Sequence, residues 1–186
     1  MAASRLRVLG GTARGIPLAE PRGVRLRPTS GMVREAIFNI LGALVDNARV
    51  LDLYAGTGAL AIEALSRGAA TATLVEGESG AVQAILQSLA RTGFSEHATV
   101  LRGRLPGAMA TVRGPFDIIL MDPPYRDDTA EATLAVCGEA LADGGWVVYE
   151  HGSRYNPPGR PGALEMRDRR VYGDSAIAVY AKQERE

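Results

Sequence analysis

Apolar positions along the chain change their period near residue 49. Before it, Val33, Ala36, Ile37, Ile40, Leu41 and Leu44 follow the three-and-four spacing of a helix with one buried face, and Thr29 or Ser30 supplies a hydroxyl to cap its start. Beyond it, short apolar runs alternate with helical stretches, which is the rhythm of a parallel sheet covered by helices. Strands are expected at 49–54, 71–76, 98–102, 116–122 and 146–150. Helices are expected near 59–67, 79–92, 105–112 and 128–141. The rhythm stops after Glu150, where 151–161 holds three prolines and cannot form a regular helix, and 163–167 and 176–181 read as two closing strands. The expected fold is α/β: a doubly wound, seven-stranded, mostly parallel sheet whose last hairpin is antiparallel.

The first 28 residues have no helical period and many Gly and Pro, and they read as a hairpin arm with strands at 5–9 and 15–18. The expected organisation is therefore a small basic arm, 1–28, followed by one domain, 29–186. A chain of 186 residues and 19.7 kDa suits this, and at 46% hydrophobic and 23% charged residues it has the composition of a folded domain and not of a disordered one. Cys137 is the single cysteine, so no intramolecular disulfide and no cysteine-based metal site can form. With no apolar run of membrane-spanning length and no signal-peptide core, a cytoplasmic location and no membrane association are expected.

Charge sharpens this outline. The net charge is zero, yet residues 1–34 hold seven arginines and one glutamate, a net +6, against 14 basic and 20 acidic groups in the remainder. Arg5, Arg7, Arg14, Arg27 and Arg34 are thus the expected contacts to a polyanion, presented by the arm of a mildly acidic body. Arg167, Arg169 and Arg170 read equally as a solvated turn or as a second such contact.

Candidate chemistry gathers at the carboxyl ends of the strands, where open α/β sheets bind ligands. The first strand runs through Asp52 into Tyr54-Ala55-Gly56-Thr57-Gly58, a turn whose glycines let backbone approach a ligand. Asp52 lies four residues before Gly56, where a carboxylate would repel a pyrophosphate and attract an ammonium. Glu76 ends the second strand, placed to accept the two hydroxyls of a ribose. Together they favour a nucleoside carrying an amino acid, S-adenosylmethionine, over a dinucleotide. The fourth strand ends in Asp122-Pro123-Pro124-Tyr125. Prolines there fix the chain and leave carbonyls free to accept, so Asp122 and the Pro123 carbonyl can take the two N–H groups of an exocyclic amine while Tyr125 stacks on its base. His97 and His151 have no companion ligands in sequence, and metal binding is not expected. Cys137 reads as core. Asp127 and Asp128 read as helix-start residues.

These motifs resemble the class I S-adenosylmethionine-dependent methyltransferases that modify exocyclic amines. More narrowly, Arg27-Pro28-Thr29 with Val33-Arg34-Glu35-Ala36-Ile37-Phe38-Asn39, the run from Gly58 to Ala69, and Arg170-Val171-Tyr172-Gly173-Asp174 resemble the RsmD family across nearly the whole chain. The resemblance implies methylation of N2 of a guanine in 16S ribosomal RNA. The expected partner is that RNA, naked or in a small-subunit assembly intermediate, and a monomer is expected. Adenine-N6 methylation of nucleic acid and a catalytically silent RNA-binding module remain as alternatives. A nicotinamide oxidoreductase is disfavoured by Asp52. One departure from many relatives is Leu101-Arg102-Gly103-Arg104, which lacks the acidic or amide residue that meets adenine, leaving the backbone of Gly103 and Arg104 for that role.

Overall fold

The computed structural model describes residues 6–21, 30–124 and 127–183. Strands β1 (Arg49–Leu53), β2 (Thr71–Glu76), β3 (Ala98–Arg102), β4 (Phe116–Met121), β5 (Leu141–Gly152), β6 (Leu164–Tyr172) and β7 (Ser175–Lys182) form one sheet in the order β3-β2-β1-β4-β5-β7-β6. The first five are parallel and β7 runs antiparallel to both neighbours. Helices α1 (Gly31–Leu41), α2 (Ala59–Ser66), α3 (Ser79–Thr92) and α4 (Ala130–Ala140) cover it. Among the described residues no helix is long and apolar enough to cross a membrane.

The strand pleat sends alternate residues to opposite faces, and each face buries its own core. Val50, Ile118, Leu120, Val148 and Ile177 meet α1, α2 and α3 through Val33, Ile37, Ile62 and Ile85. On the other face Leu51, Leu53, Ile119, Met121 and Tyr149 meet Leu134 and Cys137 of α4. Burial pushes the Cys137 thiol up to about 12, so it stays an inert apolar group. Ser30 caps α1 by accepting from the Val33 amide at 3.2 Å.

Three expected elements differ in extent. The stretch expected as a helix near 105–112 forms a five-residue 3-10 turn, Gly107–Thr111, because Pro106 lacks an N–H and Gly107 resists helix. β5 begins five residues earlier than expected, since Leu141 pairs with Phe116 before a register shift. β6 runs on to Tyr172; its charged residues hide the alternation because it is an edge strand with little to bury.

The arm is bound into the body. Val8 and Leu18 pair with Ile16 and Leu6 across a narrow hairpin, and Val8, Ala13 and Leu18 belong to the α1–α3 core. Glu63, fully buried on α2, accepts from the Leu9 and Gly10 amides at 2.7 Å each and from Arg67 Nε at 2.8 Å. Gly11 has a positive φ of 73°, and a Cβ there would lie 1.7 Å from the Ser66 carbonyl oxygen, so only glycine lets the arm dock.

Candidate active site

The parallel strands place their carboxyl ends in one row, and the turns that follow them enclose a cleft of about 780 Å³. Asp52, Tyr54, Ala55, Gly56, Thr57, Glu76, Gly103, Arg104, Asp122, Pro123 and Pro124 all line it, so residues expected separately at the ends of β1, β2, β3 and β4 meet here, whereas Gly58, expected with them, lies outside the lining at the start of α2.

The β1 turn is held in an uncommon shape. Tyr54, Gly56 and Gly58 all have positive φ (61°, 55° and 73°). For Tyr54 that conformation costs energy, and its hydroxyl is pinned to Thr133 Oγ1 on α4 at 2.9 Å. The Tyr54 hydroxyl is therefore turned to α4, while the residue borders the cleft. Gly58 starts α2, and a Cβ there would press on Ile85 and Leu74 at 3.2 and 3.3 Å.

Asp52 is 1% exposed and accepts from the Ala61 amide in the first turn of α2 at 3.1 Å. Burial pushes its carboxyl up to about 8; the Ala61 N–H opposes this and the nearby negative charges of Asp122 and Glu76 add to it. A buried acid with this surrounding is fitted to a cation. Glu76 is also buried, and its two oxygens accept from the Gly56 and Glu78 amides at 2.7 and 2.8 Å. That fixes the carboxylate between two turns and leaves each oxygen a second lone pair for a ligand hydroxyl.

At the end of β3 the backbone is less free than the sequence implies. The Gly103 N–H donates to the Glu76 carbonyl at 3.0 Å, so it is already committed. The Arg104 amide is the next donor along this turn, while the Arg104 side chain is 87% exposed and lies 3.5 Å from Glu78.

Asp122 follows β4 beside these groups. Pro123 is buried, the Pro124 carbonyl accepts from the Asp127 amide at 2.9 Å, and Asp127 Oδ1 accepts from Thr129 at the start of α4. Asp127 thus does the work expected of a helix-start residue. Tyr125 lies outside the described residues.

The expected polyanion contacts divide. Arg7 and Arg14 are exposed on the arm. Arg5 and Arg27 lie outside the described residues. Arg34 corrects the expectation: it is 2% exposed on the inner face of α1, donates to the Arg7 carbonyl at 3.1 Å and sits near Glu63, so it serves the packing of the arm and not a surface contact. Arg169 donates to the Ser153 and Tyr155 carbonyls, and Arg170 pairs with Asp168.

Sequence reasoning missed Glu150 and Ser175, which also line the cleft and join through a hydrogen bond of 3.0 Å. The signal was available for Glu150: like Glu76, it is an acid at the tip of an apolar strand.

The chain is similar over most of its length to known proteins. A family model described as "Conserved hypothetical protein 95" matches residues 6–181. The chain is 36% identical over 183 residues to "Putative rRNA methyltransferase YlbH" of Bacillus subtilis, covering 96% of this chain and all of that one. It is 34% identical over 185 residues to "Ribosomal RNA small subunit methyltransferase D" of Escherichia coli K12, covering 96% and 91%. Among solved structures, "Putative methyltransferase yhhF" from Escherichia coli superimposes with a TM-score of 0.84 at 34% identity, over 97% of this chain and 99% of that one.

Proposed function

Because the chain belongs to the family described as conserved hypothetical protein 95, we propose that it transfers a methyl group from S-adenosylmethionine to the exocyclic N2 amine of a guanine in 16S ribosomal RNA. The observation that carries this reading is the meeting of Asp52, the β1 turn, Glu76 and Asp122-Pro123-Pro124 in one cleft. The relatives named as ribosomal RNA methyltransferases supply the substrate class.

Asp52 would hold the ammonium end of the methyl donor, Glu76 its ribose hydroxyls, and the close-set backbone of 55–58 its body. The donor supplies an electrophilic methyl on a sulfonium. Asp122 and the Pro123 carbonyl each accept one N–H of the target amine, which turns the nitrogen lone pair out of conjugation with the ring and toward the methyl. Methyl transfer would form the nitrogen–carbon bond as the sulfur–carbon bond breaks, and the Asp122 carboxylate would take the proton that the nitrogen then sheds. Tyr125, next in the chain, is the proposed stacking partner of the base. Flipping the base leaves its flanking phosphates to be held elsewhere, and Arg7 and Arg14 on the arm are the proposed contacts, with Arg5 and Arg27 assigned to the same surface from the sequence.

The test is incubation with methyl-labelled S-adenosylmethionine and small ribosomal subunits from a strain lacking the gene, followed by primer extension. Label in a single 16S nucleotide is expected. Label confined to protein, or none with either subunits or naked 16S RNA, contradicts the reading.

A further inference from the structure

Next to the donor cleft lies a second cavity of about 650 Å³, and the two share Pro123, Pro124, Asp127 and Glu150. The acceptor motif is thus the partition between them. One wall of the second cavity is aromatic: Tyr149 and His151 project from β5 with ring centroids 5.3 Å apart, and Tyr155 meets His151 edge-on at 5.7 Å. The turn carrying Tyr155 is tied to β6 by Arg169, whose Nη2 donates to the Ser153 carbonyl at 2.8 Å and the Tyr155 carbonyl at 3.2 Å. The Tyr155 hydroxyl donates to the Glu131 carboxylate on α4.

His151 is the unusual member. It is 3% exposed, and its Nδ1 lies 2.9 Å from the Gly152 carbonyl, which requires the proton on Nδ1 and leaves Nε2 as an acceptor. Nε2 is buried and has no hydrogen-bond partner among the described residues. Burial also lowers the imidazole's pKa, which keeps the ring neutral near pH 7. An unpaired buried acceptor is costly, and it is relieved by a donor brought by a ligand. Asp128, Glu131 and Asp174 also border this cavity, against Arg154 as the one arginine lining it among the described residues. Such a border repels phosphate and suits a donor-rich edge. Among the RNA bases, guanine presents that edge, N1–H beside the N2 amine, whereas adenine has a lone pair at N1.

We propose that this cavity receives the flipped target base and that His151 Nε2 accepts the guanine N1–H, making His151 a determinant of guanine over bases that lack this proton. The inference rests on the guanine-N2 reading above. The proposal requires Tyr155, which packs edge-on against His151, to turn away from Glu131 and expose the ring edge.

The experiment uses small subunits reconstituted on 16S RNA with either guanine or 2-aminopurine at the mapped target, since 2-aminopurine keeps the 2-amino group and has a lone pair at N1. The wild-type protein should favour guanine by about tenfold or more in kcat/KM, the worth of one hydrogen bond at a buried acceptor. In His151→Phe the guanine rate should fall about tenfold toward an unchanged 2-aminopurine rate, with S-adenosylhomocysteine affinity retained. Equal wild-type rates on the two bases, or the same preference in wild type and His151→Phe, overturns the role of His151. A wild-type protein that leaves guanine N2 unmethylated instead refutes the guanine-N2 reading itself, so the two failures are distinct. The wild-type comparison stands even if His151→Phe does not fold.

Discussion

If Asp52 receives the ammonium of the methyl donor, binding must expel a proton. With its carboxyl held near 8 by burial and by Asp122 and Glu76, Asp52 is protonated in about nine of ten ligand-free molecules at pH 7. Pairing with a cation favours the ionised form, so binding of S-adenosylhomocysteine, which keeps the amino-acid end, should release about 0.9 proton at pH 7. The dissociation constant should fall as pH rises, by about fiftyfold (~2.3 kcal/mol) between pH 6 and pH 8, and level off above. Titration calorimetry in phosphate and in Tris measures the release from the difference in apparent enthalpy. Stability carries the opposite sign: between the unfolded carboxyl value near ~4 and the folded value near 8, the unfolded chain is ionised while the folded one keeps its proton, so the ligand-free protein loses stability as pH rises. Asp52→Asn should remove both dependences. Binding without proton release, with an affinity flat from pH 6 to 8, would refute the pairing of Asp52 with the ammonium.

Asp122→Ala should leave S-adenosylhomocysteine binding undiminished, and tighter at neutral pH because one charge that holds the Asp52 proton is gone, while lowering methyl transfer by about a hundredfold or more, read as kcat in single-turnover assays, because the orienting acceptor acts on the amine. Tyr125→Phe should be mild and Tyr125→Ala severe in the same assay, and equal losses would remove the stacking role. Glu63→Ala strips an acceptor from two arm amides and from Arg67, and should cost about 3 kcal/mol in denaturant unfolding with protease cleavage moving into the arm. Replacing Arg7 and Arg14 together with Gln should flatten the log–log salt dependence of RNA binding by about 1.4 to 1.8 with donor affinity retained, and an unaltered slope would place the RNA surface elsewhere.

The sheet was legible because its central parallel strands β1 and β4 are buried on both faces and read as short apolar runs, and the acids at the strand tips interrupt those runs where the cleft opens. Asp52, Glu76 and Asp122 each announce themselves in this way. What stayed hidden depends on contacts between distant segments. Arg34 reads as part of a basic arm, yet the partners that bury it, the Arg7 carbonyl and the neighbourhood of Glu63, are fixed only by tertiary packing. Gly103 reads as a free backbone donor until the register of β3 on β2 commits its N–H to Glu76. His151 reads as an isolated histidine after a strand, because the ring partners that give it meaning are joined to it by strand alternation and by the fold of the 153–155 turn.

The claim on which the rest depends is that the Asp122 side of the cleft presents a guanine amine to the methyl donor. Its most direct test is to methylate undermodified small subunits, digest the RNA to nucleosides and identify the new product by mass spectrometry against standards. N2-methylguanosine, formed by the wild-type protein and absent with Asp122→Ala, is the predicted result; N6-methyladenosine, or the same yield of N2-methylguanosine from Asp122→Ala, would contradict it.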